Sequence, residues 1–364
     1  MNRNEIFKIY GTDHKEMTVR LLKACALASD IRDHSARIGI KPNLVTPSPA
    51  SFGATTHPEI VSGIIEYLRS EHFENIVILE SAWIGDKTSE AFEYCGYYAL
   101  SRKYGVPLID TKRDKGVKTD CSGMELNICR SFFDIDFLIN VPVLKGHCQT
   151  KMTCALKNMK GLIPDSEKRR FHTMGLHRPI AHLNSVTRQD FIVVDNICGD
   201  PYFEEGGSPM VSNCIMAAKD PVLTDAHACS LLGYNISDVP YLGLAECLNI
   251  GSTDLSSLKI SILGGETAVS YSPDDRVLDV SYAADDVDAC SACYAMLIPA
   301  LIRLKDKGLL ERLPSKIAIG QGHRGRTGRI GIGSCTKNFA FSIKGCPPSE
   351  EDIYKGLRDY ILKL

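Results

Sequence analysis

The stretch FLINVPVLKGHCQTKMTCALKNMKGLIPDSEKRRFHTMGLHRPIAHL, residues 137–183, is the most informative about the fold and holds the greatest concentration of potentially reactive side chains in the chain. It opens with an apolar run, Phe137 to Val143, which predicts a buried strand that ends at Pro142. A short helix is predicted from Thr153 to Met159, stopped by Gly161, and a loop rich in Lys, Arg and His is predicted after it.

Four side chains of this stretch are candidate catalytic residues: His147, Lys145, Lys157 and Asn158. His147 follows the strand end closely and is suited to general acid–base chemistry or metal binding. The two lysines are suited to an anionic ligand, and an amide orients a carboxylate or phosphate. The structural alternatives are a histidine bonded to backbone, solvated lysines and a turn-stabilising asparagine.

Composition excludes several classes of protein. The chain has 364 residues, of which 44% are apolar and 24% charged, with a net charge of −2. A net charge near zero provides no electrostatic attraction for nucleic acid or for membrane surfaces. The N-terminus has no apolar signal core, and no apolar run is long enough for a membrane span. We therefore expect a cytoplasmic protein whose fourteen cysteines are thiols or metal ligands rather than disulfides.

Strands and helices alternate along the chain. The strand Ala36–Ile40 leads through a long Pro/Ser/Gly loop to a helix that starts at Pro58, and the strand Asn75–Leu79 follows. Such βαβ units imply a parallel sheet. The predicted fold is α/β, with a mostly parallel or mixed sheet, helices on both faces, and a smaller C-terminal α/β metal-binding unit.

Polar residues recur just past the predicted strands: Lys41, Asn43, Glu80, Asp110, Lys145, His147, Asp195 and Asp220. Open parallel α/β sheets bind ligands at the carboxyl ends of their strands. We expect these side chains to converge on one polar cleft, in which Lys41, Asn43, Glu80, Asp195 and Asp220 bind a ligand. Taken singly, each of these residues is more typical of a cap or a turn, and Glu80 is equally suited to pairing with Lys41.

The C-terminal part is expected to form a separate unit. The chain turns acidic and loop-like from Tyr271 to Asp288, which places the boundary between an α/β domain of residues 1–285 and a Cys-rich unit of residues 286–364. Four cysteines of this unit are the candidate metal ligands: Cys290, Cys293, Cys335 and Cys346.

Their setting favours an iron–sulfur cluster, most simply 4Fe-4S, over zinc. Flanking glycines allow backbone to approach a metal, and Cys346 is followed by Pro347, a frequent setting of iron–sulfur ligands. Zinc remains the alternative, because four thiolates also complete a tetrahedral site. The Gly-rich stretch between these cysteines holds Arg324, Arg326 and Arg329, which either bind phosphate or lie in solvent beside the cluster.

Several segments together resemble the domain-of-unknown-function family 362, which is often described as iron–sulfur-associated. The matching segments are IGIKPNLV (38–45), ILESA (78–82), LINVPVLKGH…ALKNMKGLIP (138–164), VVDNICG (193–199), AAKDPVLTDAHACSLLGY (217–234) and ILGG (262–265). The resemblance implies the α/β fold and an associated cysteine cluster, but no substrate. The three closely spaced C-x-x-C steps of a standard ferredoxin run are absent from the sequence.

Two classes of function follow from these features. The first is a redox enzyme, in which the cluster exchanges electrons with a small anionic ligand in the polar cleft. The second is an accessory protein that delivers a cluster or electrons to a redox partner protein. A zinc-stabilised ligand-binding protein is a further alternative. Neither nucleic acid nor a membrane is an expected partner.

Overall fold

The computed structural model describes residues 1–264 and 275–364. These residues form two compact units, the first made of residues 1–146 and 150–264 and the second of residues 147–149 and 275–364.

The strands are, in chain order, β1 (Glu5–Tyr10), β2 (Ile38–Pro42), β3 (Ile76–Glu80), β4 (Leu108–Asp110), β5 (Gly116–Asp120), β6 (Glu125–Cys129), β7 (Phe137–Val141), β8 (Lys145–His147), β9 (Lys151–Thr153), β10 (Phe191–Gly199), β11 (Met210–Ala218), β12 (Lys259–Leu263), β13 (Ala284–Asp286), β14 (Ile317–Ile319), β15 (Ile330–Ile332) and β16 (Phe341–Ile343). The central strand β7 ends just before Pro142, as predicted, because proline cannot donate to a ladder.

The α-helices are α1 (His14–Cys25), α2 (Pro58–Ser70), α3 (Thr88–Tyr94), α4 (Tyr97–Tyr104), α5 (Ala155–Asn158), α6 (Asp165–Met174), α7 (His177–Asn184), α8 (Pro221–Leu231), α9 (Tyr241–Cys247), α10 (Asp275–Ser281), α11 (Ser291–Asp306) and α12 (Glu350–Leu362). Proline occupies the first turn of α2 and α8, and Asp220 caps α8 by accepting hydrogen bonds from Val222 N and Leu223 N.

The first unit is organised around an eight-stranded sheet in the order β12-β1-β11-β10-β7-β2-β3-β4. Five of the seven pairings are parallel; β11 runs antiparallel to both of its neighbours, β1 and β10. The sheet is therefore mixed and mostly parallel, which confirms the predicted fold class. The reversal at β11 places its carboxyl end at the opposite edge from those of β2, β3 and β7.

Helices cover both faces of this sheet, because alternate side chains of each strand point to opposite sides. Ile139 and Val141 of β7 join one apolar core with α1, α2 and α4, whereas Leu138 joins the other with α5 to α9. The central strands are buried along their whole length, as expected for strands covered on two faces.

The second unit carries its own four-stranded parallel sheet, β13-β14-β15-β16. The strand β13 includes residues 285 and 286, between which the sequence analysis places the domain boundary. Part of the acidic segment from Tyr271 to Asp288 lies outside the described residues, as does the last residue of the ILGG motif. From residue 275 onward, the segment contains α10 and β13 rather than a continuous loop.

The loop predicted after Gly161 is a second difference, since α6 and α7 occupy it. Acidic Asp165 and Glu167 lie in the first turn of α6, where they complement the helix dipole. In α7, Ile180 and Leu183 are buried at helical spacing. Throughout the described ranges, 1–264 and 275–364, no helix is long and apolar enough to cross a membrane.

Candidate functional site

The carboxyl ends of β2, β3 and β7 carry a group of interacting polar side chains in the first unit, here called the strand-end network. Its members are Lys41, Asn43, Glu80, Asn140, Lys145, Lys157, Asn158 and Glu204. All of these except the partly exposed Glu204 are buried. The structure thus brings together six of the residues that the sequence singled out: Lys41, Asn43, Glu80, Lys145, Lys157 and Asn158.

A buried ion pair lies at the ends of β2 and β3. Lys41 Nζ is 2.5 Å from Glu80 Oε2, and both side chains are almost fully excluded from solvent. Burial lowers the pKa of Lys41, which the charge of Glu80 opposes. A Cβ on Gly161 would lie 2.1 Å from Glu80 Oε1, so only glycine fits against the pair. The pairing of Lys41 with Glu80, anticipated from the sequence, is confirmed.

Lys145 is held by backbone acceptors rather than by a carboxylate. Its Nζ donates to Ala54 O at 2.6 Å and to Glu204 O at 2.7 Å, and lies 3.5 Å from Asn43 Oδ1. Burial lowers the pKa of Lys145 to about 8, against the opposing charge of Glu204. An amine with this pKa exchanges a proton near neutral pH, which suits acid–base work.

Lys157 and Asn158 project from the short helix α5. Lys157 Nζ contacts Glu204 Oε1 at 2.5 Å and Thr153 Oγ1 at 3.0 Å. Asn158 Nδ2 donates to Asn140 Oδ1 at 2.7 Å.

The helix α5 is itself anchored by a buried carboxylate. Asp225 of α8 accepts hydrogen bonds from Ala155 N and Leu156 N, at 2.6 and 3.1 Å, and so satisfies the first N–H groups of α5. Burial raises the pKa of Asp225 to about 7. Asp225 therefore acts as a positioning residue for the side chains of α5.

Three predicted site residues have other partners. His147 belongs to the second unit, where its Nδ1 accepts from Gln149 N at 3.1 Å. Asp195 of β10 forms a separate pair with His57. Asp220 caps α8 and pairs with Arg3 at 3.2 Å. Because Asp220 follows the antiparallel strand β11, it lies at the other edge of the sheet, and its predicted place in the cleft is wrong.

The sequence analysis missed Glu204, which is a member of the network, and two residues beside it, Lys160 and Glu205. Burial, followed by the charge of Lys157, lowers the pKa of Lys160 to about 7. Burial, followed by the charge of Glu204, raises the pKa of Glu205 to about 7. Two features of the sequence could have indicated them. One is the pair Glu204-Glu205 next to Gly206 in the β10–β11 loop, and the other is the second lysine of KNMK, Lys160.

This arrangement is suited to a small anion. Lys145, Lys157 and Lys160 concentrate positive charge around Glu204, and Glu204 supplies the balancing carboxylate. A ligand carboxylate or phosphate that replaced Glu204 would gain charge-assisted hydrogen bonds from the lysines. Titratable groups with shifted pKa values are concentrated at functional sites, although ion-pair networks shift them too.

Lys160 is expected to be unusually reactive towards acylating reagents. With a pKa of about 7, half of its amine is neutral at pH 7, whereas an ordinary lysine stays protonated until about pH 10. At pH 7, limiting acetic anhydride should acetylate Lys160 at least about tenfold faster than the exposed Lys23, and the rate should level off above about pH 8. Peptide mass spectrometry measures both. A Lys160 rate that keeps rising to pH 10 would contradict the assignment.

The second unit gathers the four predicted metal ligands from three segments. Cys290 occupies the N-cap position of α11, Cys293 lies in its first turn, Cys335 follows β15, and Cys346 follows β16. Burial, and then the nearby charges of Cys290, Cys346 and Cys335, raises the pKa of Cys293 to about 12. The segments that carry these thiols also meet: a Cβ on Gly333 would lie 3.4 Å from Gly345 O, next to Cys346.

Polar groups also surround these thiols. Gln321 Nε2 donates to Cys290 Sγ at 3.4 Å, and Arg324 hydrogen-bonds to Cys335, which raises the pKa of the guanidinium. A Cβ on Gly333 would lie 3.8 Å from Cys293 Sγ, so the backbone approaches that sulfur closely. Within the described parts of the chain, no group of three or more His, Cys, Asp or Glu side chains is arranged to hold a metal ion.

The second unit also contains an open cavity of about 410 Å³. Lys316, Arg326 and Arg329 supply its positive charge, and Asp285 supplies a carboxylate. Two of the three arginines of the Gly-rich stretch therefore line a concave surface. The third, Arg324, faces the thiols.

Comparisons with known proteins found similar proteins of varied description. A thylakoid-associated protein of Synechocystis sp. is 23% identical over 228 residues, which are 60% of this chain and 69% of that protein. The apoprotein of lactate racemase from Thermoanaerobacterium thermosaccharolyticum superposes with a TM-score of 0.40 at 13% identity, over 64% of this chain and 57% of that one.

A structure from Thermotoga maritima gives a TM-score of 0.39 at 13% identity, over 62% of this chain and 60% of that one. The matches thus span less than two thirds of either solved chain. The family model described as a domain of unknown function, DUF362, matches residues 38–230. This match takes in the main strands and the whole strand-end network. The chain therefore belongs to the DUF362 family.

Proposed function

We propose that the protein is an iron–sulfur protein that exchanges electrons with a partner and holds a small anionic ligand in the strand-end network. The observation that carries the proposal is the close approach of three cysteine-bearing segments of the second unit. A Cβ on Gly333, two residues before Cys335, would lie 3.8 Å from Cys293 Sγ and 3.4 Å from the carbonyl oxygen of Gly345, the residue before Cys346. Thiols raise one another's pKa when they lie together, and a bound metal centre removes that penalty by deprotonating them.

The positions of the four cysteines in the chain bear on which metal would fit. Four thiolates on one ion complete a tetrahedral zinc site, whereas in a four-iron cluster each cysteine binds a different iron. The 41 residues between Cys293 and Cys335, and the Cys346-Pro347-Pro348 segment, favour the cluster over zinc.

The residues around the thiols suit a negatively charged centre. Cys290 and Cys293 lie at the N-terminal end of α11, whose dipole favours negative charge. Gln321 and Arg324 donate hydrogen bonds to sulfur, which raises the reduction potential of a cluster. When bound, the cluster supplies a one-electron carrier. The exposed Cys346 would place one side of it at the protein surface, which supports electron transfer to a partner protein.

The decisive experiment is anaerobic purification followed by iron, zinc and acid-labile sulfide analysis and a visible spectrum. We expect brown protein with roughly four irons and four sulfides per chain. Cys346→Ala should lose them and remain folded, because this side chain is exposed. Cys247→Ala, an exposed cysteine of the first unit, is the matched control and should keep the cluster. Colourless protein, with one zinc or without metal, would refute the proposal.

A further inference from the structure

A second thiol site lies in the first unit, where Asp195, His57 and Cys198 form a connected row. Asp195 is 1% exposed, and its Oδ2 accepts from His57 Nδ1 and from His57 N, both at 2.8 Å. Its Oδ1 accepts from Ile197 N at 3.1 Å. Burial opposes ionisation of Asp195, but the charge of His57 and these hydrogen bonds outweigh it and lower the pKa.

The other ring nitrogen of His57 faces sulfur. His57 Nε2 lies 3.6 Å from Cys198 Sγ. Burial works against the charged ring, but the charge and hydrogen bond of Asp195, assisted by Cys198, raise the pKa of His57 to about 10. At neutral pH, His57 is therefore an imidazolium, whose second N–H donates towards the sulfur.

The neighbouring groups leave this charge distribution intact. His14 of α1 stands edge-on to His57, with the ring centroids 5.4 Å apart. Burial, and then the charge of His57, lowers the pKa of His14, so its ring stays neutral. The charge of Glu59 opposes this lowering of the His14 pKa. Burial raises the pKa of Tyr97, which therefore stays un-ionised near Asp195. Asp195 and His57 remain the charged pair beside the thiol.

A cysteine next to a histidine that a carboxylate orients is the arrangement of an activated nucleophile. The imidazolium stabilises the thiolate, which is the reactive form of cysteine. The size of the substrate is limited by the surroundings. Cys198 is only 7% exposed, Ala50 O lies 3.4 Å from its sulfur, and a Cβ on Gly53 would lie 2.8 Å from Cys198 O. The backbone of residues 50–53 thus packs over the thiol and excludes bulky reagents.

We propose that Cys198, His57 and Asp195 form a reactive-thiol site that takes hydrogen peroxide as its substrate. The Cys198 thiolate attacks one peroxide oxygen, an S–O bond forms and the O–O bond breaks. His57 Nε2 gives its proton to the departing hydroxide, which leaves as water. The products are cysteine sulfenic acid, water and neutral imidazole, so the sulfur is oxidised by two electrons and the peroxide is reduced by two. This site is independent of the cluster proposed in the second unit.

The test measures sulfenic acid at individual cysteines of the full-length wild-type protein. Timed samples from a hydrogen peroxide reaction are unfolded in denaturant that contains dimedone, and the adducts are mapped by peptide mass spectrometry. Mapping separates Cys198 from the four thiols of the second unit. Cys229 is the matched control: it is also buried, its sulfur donates to Tyr234 O at 3.5 Å, and burial raises its pKa to about 11.

At pH 7, Cys198 is expected to be oxidised at least about tenfold faster than Cys229. His57→Gln should remove this advantage. Equal rates at Cys198 and Cys229 in the wild type would overturn the proposal. The comparison within the wild-type protein decides the question even where the His57 variant fails to fold.

Discussion

Glu80→Ala is expected to lower the free energy of unfolding by about 3–5 kcal/mol, because it leaves the ammonium of Lys41 buried and unpaired. The two groups lie 2.5 Å apart, and neither side chain is more than 3% exposed. Gly161 packs against both groups, since a Cβ there would lie 2.1 Å from Glu80 Oε1 and 2.6 Å from Lys41 Nζ. Urea unfolding followed by circular dichroism measures the loss.

The loss should also depend on pH. Burial already lowers the pKa of Lys41, and removal of Glu80 takes away the charge that raises it. Between that lowered value and about 10.4, the unfolded chain binds a proton that the folded variant lacks, so the stability of the variant rises with pH. The destabilisation by Glu80→Ala is therefore larger at pH 6 than at pH 9.

Two controls isolate the ion pair. Glu90→Ala removes the partner of Lys87, a pair with side chains 47% and 76% exposed, and should leave the unfolding curve unchanged. The double variant Lys41→Met/Glu80→Leu replaces the pair by apolar groups and should recover most of the stability. A loss of less than about 1 kcal/mol for Glu80→Ala alone, at pH 6, would contradict the assignment of a buried charged pair.

Gly199→Ala is expected to destabilise the first unit by about 1–3 kcal/mol or more, through a clash of backbone with side chain. A Cβ at Gly199 would lie 1.8 Å from Leu144 O, and one at Gly146 would lie 2.1 Å from Pro201 O. Hydrogen bonds from Leu144 N to Asp195 O and from Gly146 N to Asp200 O hold these segments together. Since both sides of the contact are backbone, neither can swing away.

The matched control is Gly243→Ala in α9. No heavy atom lies within 4 Å of the Cβ that it would add, and alanine is favoured over glycine in a helix by about 0.5–1 kcal/mol. The two substitutions add the same methyl group and should shift the melting temperature in opposite directions. Stabilisation by Gly199→Ala would show that the segment carrying Lys145 does not pack on β10 as described.

Glu80→Ala and Gly199→Ala test different parts of the strand-end network. The first tests the charge pair at the ends of β2 and β3, whereas the second tests the close backbone contact that places Lys145. Lys145 Nζ depends on that contact, because two of its acceptors, Ala54 O and Glu204 O, are themselves backbone atoms. The network is therefore held in place by packing as much as by charge.

The sequence by itself determined the fold class and much of the network. Apolar runs of strand length, separated by helices with proline at the first turn, predicted a mostly parallel α/β sheet. Polar residues just past those runs predicted where Lys41, Glu80 and Lys145 gather, because parallel strands end at one edge. These features are local in the chain, and a local pattern is visible without coordinates.

Only the tertiary structure decided strand direction and side-chain partners. The direction of β11 put Asp220 at the opposite edge, and no pattern within a strand reveals its direction. His57 and Cys198 are 141 residues apart, yet their side chains meet beside Asp195. Lys160 and Glu204 were missed because their pKa shifts and contacts arise from burial among groups distant in sequence. Burial and proximity are properties of the packed chain, and they decide which polar residues become chemically unusual.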